Sequence, residues 1–300
     1  MDEEIYKKYL KAGRIAKKAR LKAKKIIEPG KSYLEVVNTV EKIIKDNGAG
    51  LAFPVNLSVN EIAAHYTPHS SDKKEFKKGE IVKIDVGAHV DGYIADTAET
   101  IEVENNKYDR LIDSSKKALE SVLDIIKPGL KLRKIGKTIE ETINSYGFNS
   151  IDNLTGHSLG KHNLHSGLSI PNTSQISATK KLKQGDAVAI EPFATDGKGH
   201  VVSGEASNIY ICQKSMKSRL VRDKRYKIIY ERLKRRTKNL PFSQRKVVQL
   251  SKNSRLILRR LEYLGLVRQY PQLIEQNKGI VTQKEHTIIV EKDGCTVTTQ

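Results

Sequence analysis

Apolar positions recur at helical spacing in two stretches of the chain, and the stretches are copies of one another. Residues 26–48 read IIEPGKSYLEVVNTVEKIIKDNG and residues 125–147 read IIKPGLKLRKIGKTIEETINSYG. A constant offset of 99 positions aligns Pro29-Gly30 with Pro128-Gly129, Thr39 and Glu41 with Thr138 and Glu140, and Gly48 with Gly147. Each copy predicts a helix, a break at Pro-Gly and a second helix with one apolar face. Ser32 followed by Glu35 fits a capping box. Gly48 and Gly147 stand where a left-handed C-cap ends a helix. The period then changes to two. GEIVKID (79–85) and GDAVAIE (185–191) share the pattern Gly-acid-x-Val-x-Ile-acid, as half-buried strands that end on Asp85 and Glu191. The duplication predicts an α/β (α+β) chain of two pseudo-symmetric α-α-β-β halves, each delivering one acid to the middle.

The first of these strands runs into a hairpin. Asp91-Gly92 between strands 80–88 and 93–103 is a strong two-residue turn signal. That turn sets Asp85 opposite Ala98 and makes Asp96 its diagonal neighbour on the same face, whereas a bulge would change the register. Two carboxylates so placed repel one another unless a cation lies between them. Ile84, Val86, Ile94 and Ala95 imply a covered sheet rather than a solvated edge. Further candidates stand at isolated points: His157 in Gly-His-Ser, His165 in LHSG, and Glu285 at the start of the last hairpin, EHTIIVEKDGCTVTT. His69, His89, His162, His200 and His286 read as packed or surface residues. A set of Asp, Asp, His, Glu and Glu is rich in oxygen with one imidazole, which suits a pair of divalent ions such as Mn, Fe(II), Co or Zn. Two such ions can share a hydroxide and stabilise a tetrahedral oxyanion. The chain has no HExxH helix, Walker loop or GxGxxG.

Composition narrows the setting. Of 300 residues, 38% are apolar and 30% charged, enough to bury a core. No apolar run approaches the roughly 18 residues that span a bilayer. The opening MDEEIYKKYLKAG lacks the apolar stretch of a secretory signal. Cys212 and Cys295 are too few for a disulfide scaffold. A cytoplasmic protein is expected. The net charge of +19 is concentrated: residues 211–275 hold 19 Lys+Arg against 4 Asp+Glu. This segment reads as helices over 226–237, 243–251 and 253–263 and a short hairpin over 266–282. It is either a solvated lid or an electrostatic footing on RNA. RDKRYK (222–227) and ERLKRRTK (231–238) carry few aromatics, so base-specific readout is not indicated.

Taken together, LAFPVNLSVNEIAAHYTPHSSD (51–72), VKIDVGAHVDGYIADTAET (82–100), TGHSLGKHNLHSG (155–167), AIEPFATDGKG (189–199) and KEHTIIV (284–290) resemble the methionine aminopeptidases, in their type II, archaeal-like form. The resemblance implies a pita-bread fold around a dinuclear metal site, with a catalytic domain over 1–207 and 273–300 and a winged-helix-like insertion over 208–272. By the same resemblance Asp85 binds one metal, Asp96 and Glu285 bridge both, and His157 and Glu191 complete the second. His65 and His165 contact the substrate peptide, and Phe53, Leu164, His165 and Tyr270 line a pocket for the methionine side chain. The implied reaction removes an initiator methionine from a nascent chain whose second residue is small. A hydroxide held by the metals attacks the carbonyl, with Glu191 as general acid and base. The chain is expected to be monomeric, with ribosomal RNA as a partner of the basic insertion. A proline dipeptidase shares the ligand set, but the AAHYTP and LHSG contexts resemble the aminopeptidase more. Related non-enzymatic scaffolds have lost metal ligands, and all five are present here.

Overall fold

The computed structural model describes residues 1–213, 223–251 and 253–300, so Arg222 of RDKRYK lies outside the described residues. The first half opens with helix α1 (Glu3–Ile26), capped by the Asp2 carboxylate, which accepts from the N–H groups of Glu4 and Ile5. Its inner face is a stripe of small residues, Ala12, Ala16, Ala19 and Ala23, all fully buried. The stripe lets the helix lie close against the sheet beneath. Helix α2 (Tyr33–Asp46) buries Val36, Val37, Val40 and Ile44. The expected capping box is not made. Ser32 occupies the N-cap without a side-chain bond, and Glu35 pairs with Lys31 at 2.5 Å instead. Both C-terminal glycines do sit in the left-handed region, Gly48 at φ +76 and Gly147 at φ +81.

Strands β1 (Gly50–Leu51), β2 (Asn56–Val59), β3 (Ile62–Ala64), β4 (Ile81–Val90) and β5 (Tyr93–Glu102) follow. β4 is the centre of a sheet that pairs with β1, β2 and β5. Val82, Ile84, Val86 and Ala88 face α1 and α2, so Lys83 and Asp85 face the opposite side. The second half repeats the plan with α3 (Asp109–Leu123), α4 (Leu132–Ser145), β6 (Asn149–Ser150), β7 (Thr155–Ser158), β8 (Ser169–Pro171), β9 (Ala187–Ile190) and β10 (Phe193–Thr195). Here the apolar faces of α3 and α4 cover Ile170, Val188, Ile190 and Ile288.

Strand β11 (Val201–Cys212) leads into the basic segment: α5 (Lys224–Thr237), β12 (Phe242–Ser243), α6 (Gln244–Val248), α7 (Ser254–Tyr263) and the returning strand β13 (Val267–Glu275). β11 and β13 form an antiparallel ribbon from Val201↔Glu275 to Cys212↔Val267. At its end Tyr230, Leu233, Phe242, Leu258 and Leu261 build a separate small core. The expected hairpin over 266–282 is not there. β13 pairs with β11 and β3, and β14 (Val281–Gln283) pairs with β10. Alternation marks a strand but says nothing of a distant partner, and both strands found theirs outside the segment. The last hairpin, β15 (His286–Glu291) and β16 (Gly294–Val297), completes the second half in the order β16-β15-β9-β7-β8.

Candidate metal centre and substrate cleft

The Asp91-Gly92 turn sets the first two acids. Both residues have positive φ, 51 and 92, as a type I′ turn requires. The β4–β5 register then runs unbroken from Val90↔Tyr93 to Ile81↔Glu102, with Asp85↔Ala98 and Gly87↔Asp96. The two carboxylates therefore share a face, as the sequence predicts.

Glu285 reaches them through contacts between the two halves. Its N–H donates to the Ala98 carbonyl at 3.0 Å. The Thr97 hydroxyl donates to the Glu285 carbonyl at 2.9 Å. Beside it the Asp96 N–H donates to Thr287 Oγ1 at 2.7 Å, and that hydroxyl donates back to the Asp96 carbonyl at 2.8 Å. His157 lies on β7 opposite Ala189 of β9, and Glu191 follows the end of β9. His157 Nε2 is 3.8 Å from Asp96 Oδ2 and 3.6 Å from Glu191 Oε1. Ligand atoms of Asp96, His157 and Glu285 all lie within 4.8 Å of one another. Asp85 and Glu191 fall outside that tightest group but line the same cleft.

The electrostatics of this cluster are unfavourable for anions alone. Burial raises Asp85 to about 7, and burial together with the neighbouring carboxylates raises Asp96, Glu191 and Glu285 well above the ordinary range. Burial lowers His157 to about 3, so its imidazole is neutral and able to act as a ligand. Nearby cations are engaged elsewhere. Lys83 Nζ donates to the carbonyls of Asn60 and Val281, each at 2.8 Å, and Arg20 donates to Thr97. Asp85 Oδ1, Asp96 Oδ1 and His157 Nδ1 are buried without a hydrogen-bond partner. Buried acceptors left unpaired beside mutually repelling acids fit divalent cations.

The remaining sequence candidates line the same cleft: His65, His165, Phe53, Leu164 and Tyr270. His65, at positive φ of 66, meets the Tyr270 ring edge-on at 5.3 Å. His165 packs against His157 at 4.4 Å between ring centroids. Burial lowers His65 to about 4 and lowers His165 as well, so both present neutral rings. Tyr270 arrives on β13, so the strand returning from the basic segment forms one wall. His69, His89, His162, His200 and His286 do not line the cleft. His200 pairs with Asp152 at 2.7 Å, and His286 bonds Thr299 Oγ1 at 2.8 Å.

Sequence reasoning missed Gln283. Its amide donates to Glu191 Oε2 at 3.2 Å and to Glu285 Oε2 at 3.4 Å, tying together acids from distant parts of the chain. A position two residues before Glu285 was the available signal, because i and i+2 share a strand face. Asn56, opposite Asp85 on β2, is a second omission.

The chain is similar to known proteins over its whole length. The model of metallopeptidase family M24 matches residues 7–217. A methionine aminopeptidase of Pyrococcus abyssi is 44% identical over 295 residues, covering 98% of this chain and 99% of its own length. One of Methanocaldococcus jannaschii is 43% identical over 300 residues, covering both chains fully. Among solved structures, a methionine aminopeptidase of Thermotoga maritima superposes with a TM-score of 0.72 at 25% identity, covering 100% of this chain and 98% of that one. The chain belongs to metallopeptidase family M24.

Proposed function

We propose that the chain is a methionine aminopeptidase that removes the initiator methionine when the second residue is small. The observation that carries this reading is the meeting of four carboxylates and His157 in a cleft bounded on another side by Phe53, Leu164 and Tyr270. Whole-length relatives of that name support it.

Asp85, Asp96, His157, Glu191 and Glu285 are the residues that hold metal in this reading. The donor count suits two divalent ions, with Co, Mn, Fe(II) and Zn all compatible. Such ions supply Lewis acidity and activate water for attack on a peptide carbonyl. Glu191, with one oxygen toward His157 and the other on Gln283, takes the proton of the attacking water and hands it to the leaving amine. His65 and His165 are neutral and direct ring nitrogens at the scissile carbonyl, holding it in place and polarising it. Phe53, Leu164 and Tyr270 enclose the methionine side chain and exclude water around the reacting bond. The free α-amine of the substrate is drawn to the acidic end of the cleft, so a blocked N-terminus is a poor substrate.

The substrates are nascent polypeptides, and the enzyme works as a cytoplasmic monomer. Among the described residues no helix is long and apolar enough to cross a membrane. The charge of the basic segment supports a contact with ribosomal RNA, which cosedimentation with ribosomes across a salt series tests. Hydrolysis of Met-Ala-Ser, N-acetyl-Met-Ala-Ser and Ala-Pro tests the peptidase reading. Cleavage of the first alone supports it, and preferential cleavage of Ala-Pro overturns it in favour of a dipeptidase.

A further inference from the structure

A second concavity, of about 560 Å³, lies between α2 and the basic segment. Lys45 enters it from α2, and Arg236, Lys238 and Lys246 from α5, its C-cap and α6. His89 and His162 close one end, with ring centroids 5.2 Å apart. The cations are mutual neighbours. Lys246 feels the charges of Lys45 and Arg236 and, with the opposite sign, that of Glu41, which also lines the hollow; His89 feels those of Lys238 and Lys246 and, with the opposite sign, that of Asp91. Lys246 is itself half-buried, which is costly for an ammonium without a counter-ion.

The acids nearby are already engaged. Glu41 pairs with Arg245, Asp46 with Lys42, and Asp91 with Lys8. Among the described residues no carboxylate pairs with Lys45, Arg236, Lys238 or Lys246. The stretches 214–222 and 252 contain neither Asp nor Glu that could do so. A solvated lysine face would spread its charges outward. These four, three from α5, its C-cap and α6 and one from α2 of the first half, instead line one hollow.

We infer that this hollow is a binding site for a phosphate-bearing ligand, separate from the metal centre and clamped between the basic segment and the first half. Tetrahedral anions with several charges match a cluster of ammonium and guanidinium donors around a concave surface. The site borders the catalytic cleft without being part of it: Pro241 lines both. The inference does not depend on the peptidase reading, since none of the four cations lines the catalytic cleft.

The test is calorimetric titration of the metal-loaded protein at low salt with cyclic trimetaphosphate, a trivalent anion that chelates divalent cations weakly. The wild type is expected to bind it, less tightly as salt rises. The double variant Lys45→Glu/Lys246→Gln is expected to lose at least about tenfold in affinity, given the usual worth of charge-assisted hydrogen bonds. Lys116→Glu, a charge change on the exposed face of α3, is expected to bind as the wild type does. Arg236→Gln, at an exposed position, gives the same reading if the double variant fails to show a cooperative melt. Absence of binding by the wild type overturns the inference. So does equal weakening by Lys116→Glu, which would mean attraction by overall charge. A parallel titration with a short RNA duplex distinguishes the source. RNA affinity that falls with trimetaphosphate affinity in the double variant assigns the site to a nucleic-acid backbone, and RNA affinity that does not fall assigns it to a free phosphate compound.

Discussion

A single methyl group at position 87 is expected to damage the pocket proposed for the methionine side chain while leaving the proposed metal ligands in place. Gly87 lies on β4 beside the Phe53 ring. A Cβ there would stand 2.2, 2.6 and 2.7 Å from Cε1, Cδ1 and Cζ of Phe53. Carbon atoms in ordinary contact are about 3.5–4.0 Å apart, so the ring has to move by roughly 1.5 Å. It has little room to retreat, because Phe53 is 5% exposed and packed in one cluster with Tyr9, Ala52, Ile94 and Leu159. The open side is the catalytic cleft. Overpacking of this kind costs about 1–3 kcal/mol of stability. A displaced pocket wall of this size weakens substrate positioning by about 10–100-fold. The assay is steady-state hydrolysis of Met-Ala-Ser by Gly87→Ala, with metal content and urea unfolding measured alongside. The expected result is a fall in kcat/KM carried mainly by KM, unchanged metal, and a lower unfolding midpoint. In a Phe53→Leu background the same alanine is expected to cost much less, a coupling that identifies the ring as the obstacle. Wild-type kinetics in Gly87→Ala, or a full penalty that persists in the Phe53→Leu background, would refute this account of the pocket.

Three further outcomes are expected. Gln283→Leu removes the donor shared by Glu191 and Glu285, and metal titration should show affinity weakened by about 10–100-fold, the usual effect of losing a group that orients ligands; unchanged affinity would count against the role given to Gln283. Arg245→Ala strands Glu41, a side chain only 10% exposed, and removes bonds to the Thr67 hydroxyl and the Pro68 carbonyl. Urea unfolding should show a loss of about 3–5 kcal/mol, and a loss below about 1 kcal/mol would contradict the pairing. Metal uptake should release protons. Asp85 is raised to about 7 from 3.8, so the metal-free fold keeps a proton that the unfolded chain gives up near 4, and metal-free stability from this group falls as pH rises between those values. A cation replaces that proton. Release measured calorimetrically in buffers of different ionisation enthalpy should therefore be larger at pH 6 than at pH 8, and no release at pH 6 would contradict the assignment. His157, lowered to about 3, is already neutral between pH 6 and 8 and adds no proton to that release.

How much of the site the sequence discloses depends on how local each contact is. Asp85 and Asp96 were legible because a two-residue Asp-Gly turn fixes a hairpin's register, and the register fixes which side chains share a face. Glu191 was legible through the internal repeat. His157 and Glu285 could be named only as isolated candidates; spacing did not bring them to the other acids, and their individual roles came with the family resemblance. Their places depend on β7 and β15 pairing with β9, and β15 lies on the far side of the whole basic segment. The hairpin expected over 266–282 failed for the same reason, since β13 pairs with β11 some sixty positions earlier in the chain. The capping box failed on a finer competition: Lys31 offers Glu35 an ion pair, and the Ser32 hydroxyl is not used. The basic hollow was invisible as such. The charge of residues 211–275 can be counted, but its focus against Lys45 of α2 follows only from how the segment docks through Arg245.

The central claim is that five side chains from both halves hold cations that hydrolysis requires. Its most direct measurement is metal content after dialysis together with Met-Ala-Ser turnover, for the wild type and for Asp85→Ala. The wild type should retain divalent metal and cleave the peptide, and Asp85→Ala should lose bound metal and all measurable turnover while remaining folded. An Asp85→Ala protein with full metal and full activity would contradict it.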